Sequence, residues 1–132
     1  MVIDKMNNIL MTILTTQYNY VDYGCYELVD QDVAGICEKI IENPDITKLG
    51  LWMNYITDDS VPHIINMLQS PLCVIQHIDL SDNKLTKQGI EKILDILPAL
   101  KRHVTIKFEK NPGFSLHVET YLQWRRPDNL CP

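Results

Sequence analysis

One stretch of this sequence repeats itself. ITKLGLWMNYITDDSVPHIINML, from Ile46 to Leu68, aligns with IQHIDLSDNKLTKQGIEKILDIL, from Ile75 to Leu97, at a constant offset of 29 residues. The pairs Ile46 and Ile75, Leu49 and Ile78, Leu51 and Leu80, Asn54 and Asn83, Ile56 and Leu85, Ile64 and Ile93, and Leu68 and Leu97 keep their character. In each copy the first half alternates with period two, as a strand does, and the second half has apolar residues at helical spacing. Each unit is therefore a short strand, a turn at the asparagine and a helix. Such a unit cannot bury its apolar face alone, so copies must stack into a continuous core.

The pattern LxxLxLxxNxL followed by a full helix resembles the leucine-rich-repeat family, and the repeat length resembles its ribonuclease-inhibitor-like class. Two degenerate copies flank the clean pair. Upstream, Tyr18, Val21, Tyr23 and Leu28 take core positions of a strand half and Ile36 and Ile40 continue as the helix stripe. Tyr26 stands where the asparagine is expected. Downstream, Ile106, Phe108 and Asn111 fit before Pro112 and Gly113 break the pattern. The resemblance implies an α/β fold, a right-handed solenoid with short parallel strands on the concave face, helices on the convex face and helical caps. It implies one domain over 1–132: an N-terminal cap over 1–17, repeats over 18–45, 46–74 and 75–102, and a degenerate repeat with a C-terminal cap over 103–132.

Terminal repeats need covers. Val2, Ile3, Met6, Ile9, Leu10, Ile13 and Leu14 form one helical stripe suited to the first repeat. The segment 115–124 can close the other end as a helix, with Ser115 as N-cap and Val118, Leu122 and Trp124 inward. Helices are expected over Asp32–Glu42, Ser60–Gln69 and Lys87–Leu97. Asp59 or Ser60 would cap the second, Pro62 suits its first turn, and Pro71 and Pro98 punctuate the exits. Asn54, Asn83 and Asn111 are expected to form a structural ladder, turned inward to satisfy buried loop backbone. The initiating Met and both capping stripes are consistent with a whole protein and not a fragment.

With a net charge of -5, the chain lacks the basic stripe that phosphate neutralisation requires, which argues against nucleic acid as a partner. Lys101-Arg102-His103 and Arg125-Arg126 read as solvated surface. No apolar run reaches the roughly 20 residues of a membrane span, and Ile9–Leu14 is too short for a signal-peptide core. A cytoplasmic location is expected, the alternative being export into a host cell without a cleavable signal. The thiols of Cys25, Cys37, Cys73 and Cys131 are then expected to be reduced.

Little chemistry is visible. Ser81-Asp82-Asn83-Lys84 matches both SxxK and SDN, but a catalytic site needs those motifs on separate elements, and no KTG follows. No cysteine carries a nucleophile signature. Cys37 reads as a packed small hydrophobe, while Cys73 and His77 would need two further ligands from a distance to hold zinc. No enzyme activity, metal or cofactor is expected.

What remains is the strand face. Residues between the core positions point away from the helices: Tyr20, Asp22 and Gly24, then Lys48, Gly50 and Trp52, then His77, Asp79 and Ser81, then Thr105, Lys107 and Glu109. Of these, Tyr20, Asp22, Lys48, Trp52, His77, Asp79, Ser81, Lys107 and Glu109 are the candidate contacts for a partner protein. Trp52, flanked across the sheet by Gly24 and Ser81, has little to pack on, and Gly50 leaves space below it. Trp is a preferred binding anchor. The alternative is a structural or self-associating protein, a homodimer through the open edges of the solenoid.

Overall fold

The computed structural model describes residues 2–115, with side chains from Lys5 onward. The expected closing helix beyond its first residue, Ser115, together with Arg125-Arg126 and Cys131, falls outside that range. In chain order the elements are α1 (Val2–Thr15), β1 (Tyr20–Asp22), α2 (Asp30–Ile41), β2 (Lys48–Gly50), a 3-10 turn (Asp58–Ser60), α3 (Val61–Gln69), β3 (His77–Asp79), α4 (Lys87–Ile96), a second 3-10 turn (Leu97–Ala99) and β4 (Thr105–Lys107). The four strands form one parallel sheet in sequence order. Val21, Leu49, Ile78 and Ile106 stand side by side across it. Each strand of three residues buries its middle side chain against the helix layer and leaves its first in contact with solvent. This is the leucine-rich-repeat solenoid that the self-repeat implies.

One core runs from Ile9 and Ile13 of α1 through the strand and helix stripes to Phe108. It is bounded at the N-terminal end by α1, which packs on α2. Tyr18, expected in that core, is instead 78% exposed. Its counterpart Ile46 is fully buried because a preceding repeat roofs it. Among the described residues α1, and not a repeat, precedes Tyr18, and Ile9 and Ile13 fill the space from that helix. Asn43 ties this cap down: its buried side-chain amide donates to the Ile13 carbonyl at 2.7 Å, near the end of α1.

The asparagines sit under the turns. The Asn83 carbonyl accepts from the backbone N–H of Asn54 and Ile56, one repeat back, and its amide donates to the carbonyls of Leu51, Leu80 and Ser81. Asn54 does the same for Tyr26 and Leu28, and Asn111 for Leu85. Each asparagine therefore satisfies the turn of the repeat before it. That fits Tyr26: an asparagine there would have no described earlier turn to serve, and its own turn is held by Asn54.

A second ladder on the loop side is not anticipated by the repeat pattern. The Asp30 carboxylate accepts from the Thr57 N–H at 2.9 Å and from the hydroxyls of Thr57 and Ser60. One repeat on, Asp58 holds the Thr86 N–H at 2.9 Å and the Thr86 hydroxyl. These bonds redefine the expected caps. Ser60 makes no cap bond to α3 because its hydroxyl turns to Asp30. Thr57 instead caps the 3-10 turn through the Asp59 N–H, and Thr86 caps α4 through Gly89.

Just before each turn the chain passes through the left-handed region, at Cys25, Met53, Asp82 and Lys110, with φ of 60, 53, 58 and 62°. A non-glycine residue there is disfavoured by roughly 1–2 kcal/mol. Met53→Gly should therefore be neutral or stabilising by up to about 1 kcal/mol, whereas Met53→Val, β-branched and wrong for this conformation, should cost about 1–2 kcal/mol. Urea unfolding of the two variants checks the contrast.

Candidate functional site

The register places the open face of the sheet in three rows. Tyr20, Lys48, His77 and Thr105 form the first, and Asp22, Gly50, Asp79 and Lys107 the second. Backbone bonds from Cys25 to Trp52, Met53 to Ser81 and Asp82 to Glu109 carry the pairing on to a third row of Gly24, Trp52, Ser81 and Glu109. A shallow groove of about 220 Å³ opens over the middle strands, floored by Leu49, Gly50 and Ile78. Six of the nine candidate contacts line it: Tyr20, Lys48, Trp52, His77, Asp79 and Lys107, joined by Thr105. Asp22, Ser81 and Glu109 do not.

Trp52 does not stand free over the sheet. Its indole lies across Gly24, so closely that a Cβ on that glycine would fall 1.9 Å from the ring. The indole Nε1–H donates to Asp22 Oδ1 at 2.8 Å. Nor is the space above Gly50 empty, because a Cβ there would meet the Asp22 carboxylate at 2.4 Å. Trp52 reaches over β1 while Asp22 reaches over β2, and each crossing requires a glycine beneath it. Two residues expected to leave gaps are thus the seats of their neighbours' side chains.

Asp22 is the hub of this corner. Its carboxylate also accepts from the Gly24 N–H at 2.9 Å and the Tyr20 hydroxyl at 2.6 Å. That hydroxyl is pushed up to about 12, chiefly by its hydrogen bond to Asp22, then by burial and by the negative charges of Asp22 and Asp79. Tyr20 therefore stays a donor across the ordinary pH range and holds the carboxylate in place. Asp79 makes a smaller version of the same turn, accepting from the Ser81 N–H at 3.0 Å and the Ser81 hydroxyl at 2.6 Å.

The chemistry-bearing motifs resolve into scaffold. Ser81 donates to Asp79, and the Asn83 amide is engaged by backbone. Cys73 turns into the core while His77 opens on the sheet face, so the two do not share a site. Arg102, read from sequence as solvated, is half-buried. Its guanidinium donates to the Ile75 carbonyl at 2.8 Å and the Leu68 carbonyl at 3.1 Å, closing the exit of α3, and lies 3.4 Å from Cys73 Sγ. Burial raises the Cys73 thiol against the lowering effect of backbone and Arg102, and burial pushes Cys37 up to about 12. Cys25 is exposed, with Sγ 3.2 Å from Met53 Sδ. A thiol reagent should therefore modify Cys25 in the native protein within minutes and leave Cys37 untouched until denaturant is added. Mass mapping of the labelled peptides reads this out, and native labelling of Cys37 would contradict the packing.

No family model matches the chain. It is 30% identical over 95 residues to the ribonuclease inhibitor of Sus scrofa and, over the same length, to that of Mus musculus. The aligned part is 66% of this chain and 21% of each relative, so the chain spans about a fifth of their length. Among solved structures it superposes on the leiomodin-1 actin-binding site 2 with a TM-score of 0.71, covering 92% of this chain and 70% of that one at 15% identity. The tropomodulin C-terminal domain of Caenorhabditis elegans gives a TM-score of 0.69, covering 91% and 74% at 12% identity. At those identities the two structures speak for the fold.

Proposed function

We propose that this chain, a leucine-rich-repeat protein of the ribonuclease-inhibitor-like class, is a non-enzymatic interaction module that binds a partner protein through the groove on its strand face, in the manner of a regulatory adaptor or effector. The observation that carries this reading is the seat of Trp52. A large aromatic side chain is held on the open face by one hydrogen bond and a glycine beneath it. Fixing it in the free protein lowers the ordering cost of association, and such anchors dominate interface energetics. The functional words in the relatives' names, an inhibitor of a ribonuclease and an actin-binding site, both describe binding to a protein.

The test is affinity capture with the whole chain as bait, followed by titration of the captured protein against wild type and Trp52→Ala. Loss of about 2 kcal/mol of affinity in a variant that still folds supports the reading. Equal binding by both proteins sinks it. Sedimentation of the bait alone decides the rival reading, since a stable dimer that resists dilution would make the chain a self-associating protein.

A further inference from the structure

We propose that the groove selects an acidic segment of its protein partner, whose carboxylates are held by Lys48, His77 and Lys107. This rests on the interaction reading above and adds the chemistry of the partner. The argument comes from which polar groups of the face are already committed. Asp22 accepts three hydrogen bonds, from Gly24, Trp52 and Tyr20, and Asp79 accepts two from Ser81. The side chains of Lys48, His77 and Lys107 make no hydrogen bond or ion pair with any described residue.

Both bonds to Asp79 fall on Oδ1, and Asp79 is the one carboxylate lining the groove, against two lysines and a histidine whose side chains make no bond to a described residue. Lys48 and His77 are direct cross-strand neighbours, and Lys107 pairs with Asp79, the residue two beyond His77. All three line the same groove, beside the Thr105 hydroxyl. Adjacent parallel strands lie about 4.8 Å apart, so a run of carboxylates on an extended segment can meet these donors in succession. Charge-assisted hydrogen bonds of this kind are the stronger class. A basic partner would meet two lysines in the groove and one carboxylate, Asp79, with one oxygen already engaged.

The net charge of -5 sharpens the test. A protein with this overall balance repels polyanions at long range and attracts polycations nonspecifically. Binding of an acidic probe must then come from a local site. The probes are poly-L-glutamate and poly-L-lysine of matched length, titrated by calorimetry at low and at physiological salt. The proteins are wild type, the double variant Lys48→Gln/Lys107→Gln, and Lys87→Gln on α4 as a control away from the face.

We expect wild type and Lys87→Gln to bind poly-glutamate, weakening as salt rises, and the double variant to lose about tenfold or more. Lys48 and Lys107 are exposed, so the double variant should melt with wild type, and a melt confirms it. No binding of poly-glutamate by wild type, or equal binding by the double variant, overturns the proposal. Tighter binding of inorganic polyphosphate than of poly-glutamate, lost in the same double variant, would also overturn it, in favour of a phosphate site. The underlying interaction reading fails separately, on a captured partner indifferent to Trp52→Ala. If poly-glutamate fails while capture still depends on Trp52, only the acidic preference falls.

Discussion

Asn83→Ala is expected to destabilise the protein by about 3 kcal/mol or more, with a melting temperature lower by roughly 10 °C. The side chain is 6% exposed and makes five hydrogen bonds to backbone groups. Two of the donors, the N–H groups of Asn54 and Ile56, belong to the repeat before, so the loss falls on the junction between two units. In a solenoid each unit contacts only its neighbours, and weakening a central junction weakens the whole array. Each buried group left without a partner costs roughly 1–3 kcal/mol. Asn111→Ala should cost less, because three bonds are lost there and the site lies at the last described strand. Tyr26→Asn should add nothing, since no described earlier turn awaits it. Thermal melts of the three variants give the order, and an Asn83→Ala melt within a degree or so of wild type would remove the ladder from the account.

The repeat made most of the fold readable. Period-two alternation fixed which of Leu49, Leu51, Ile78 and Leu80 face the helices, and the recurring asparagine marked where each strand turns. The failures lie where a residue's environment depends on its place in the stack and not on its place in the unit. Tyr18 occupies a core position of the pattern, yet it follows α1 and not another repeat, and no described residue covers it. Arg102 sits among charges, yet two backbone carbonyls near the end of α3 and in the following loop recruit it inward. The carboxylate ladder was legible in principle. Asp30 and Asp58 recur at the repeat spacing, and so do Thr57 and Thr86, but period alone does not say that the acid of one unit caps the next. Lys87, at the following step, ends the series.

The strand face was legible as a list of positions, since alternation alone assigns them. It was not legible as a surface. Side chains on parallel strands lean onto neighbours whose identity varies from repeat to repeat. Gly24 and Gly50 look like vacancies in a linear reading because the residues that cover them, Trp52 and Asp22, are 28 positions away in each case. The same reading left Asp22 and Lys48 as equals, whereas the Asp22 carboxylate holds three hydrogen bonds and the Lys48 side chain makes none to a described residue.

Gly24→Ala tests the seat of Trp52 without touching the tryptophan. The new methyl would fall 1.9 Å from the indole Cε2 and 2.3 Å from Cδ2. Those atoms belong to the fused edge of a rigid ring, so the ring must swing off β1 and its bond to Asp22 must break. Gly24 itself does not lie in the left-handed region, so alanine strains no backbone there, and the fold should lose about 1 kcal/mol, the value of one hydrogen bond. The indole N–H resonance should shift toward that of a solvated tryptophan. If a partner recognises the ring in its seat, Gly24→Ala should weaken a confirmed partner by about 2 kcal/mol, close to thirtyfold, as Trp52→Ala does. The double variant should then bind no worse than Trp52→Ala alone, because both substitutions remove one shared feature. Additive losses would show that Gly24 acts on the partner by some other route. Unchanged affinity in Gly24→Ala, with the resonance shifted, would mean that the partner does not read the seated indole, and the groove would lose its anchor.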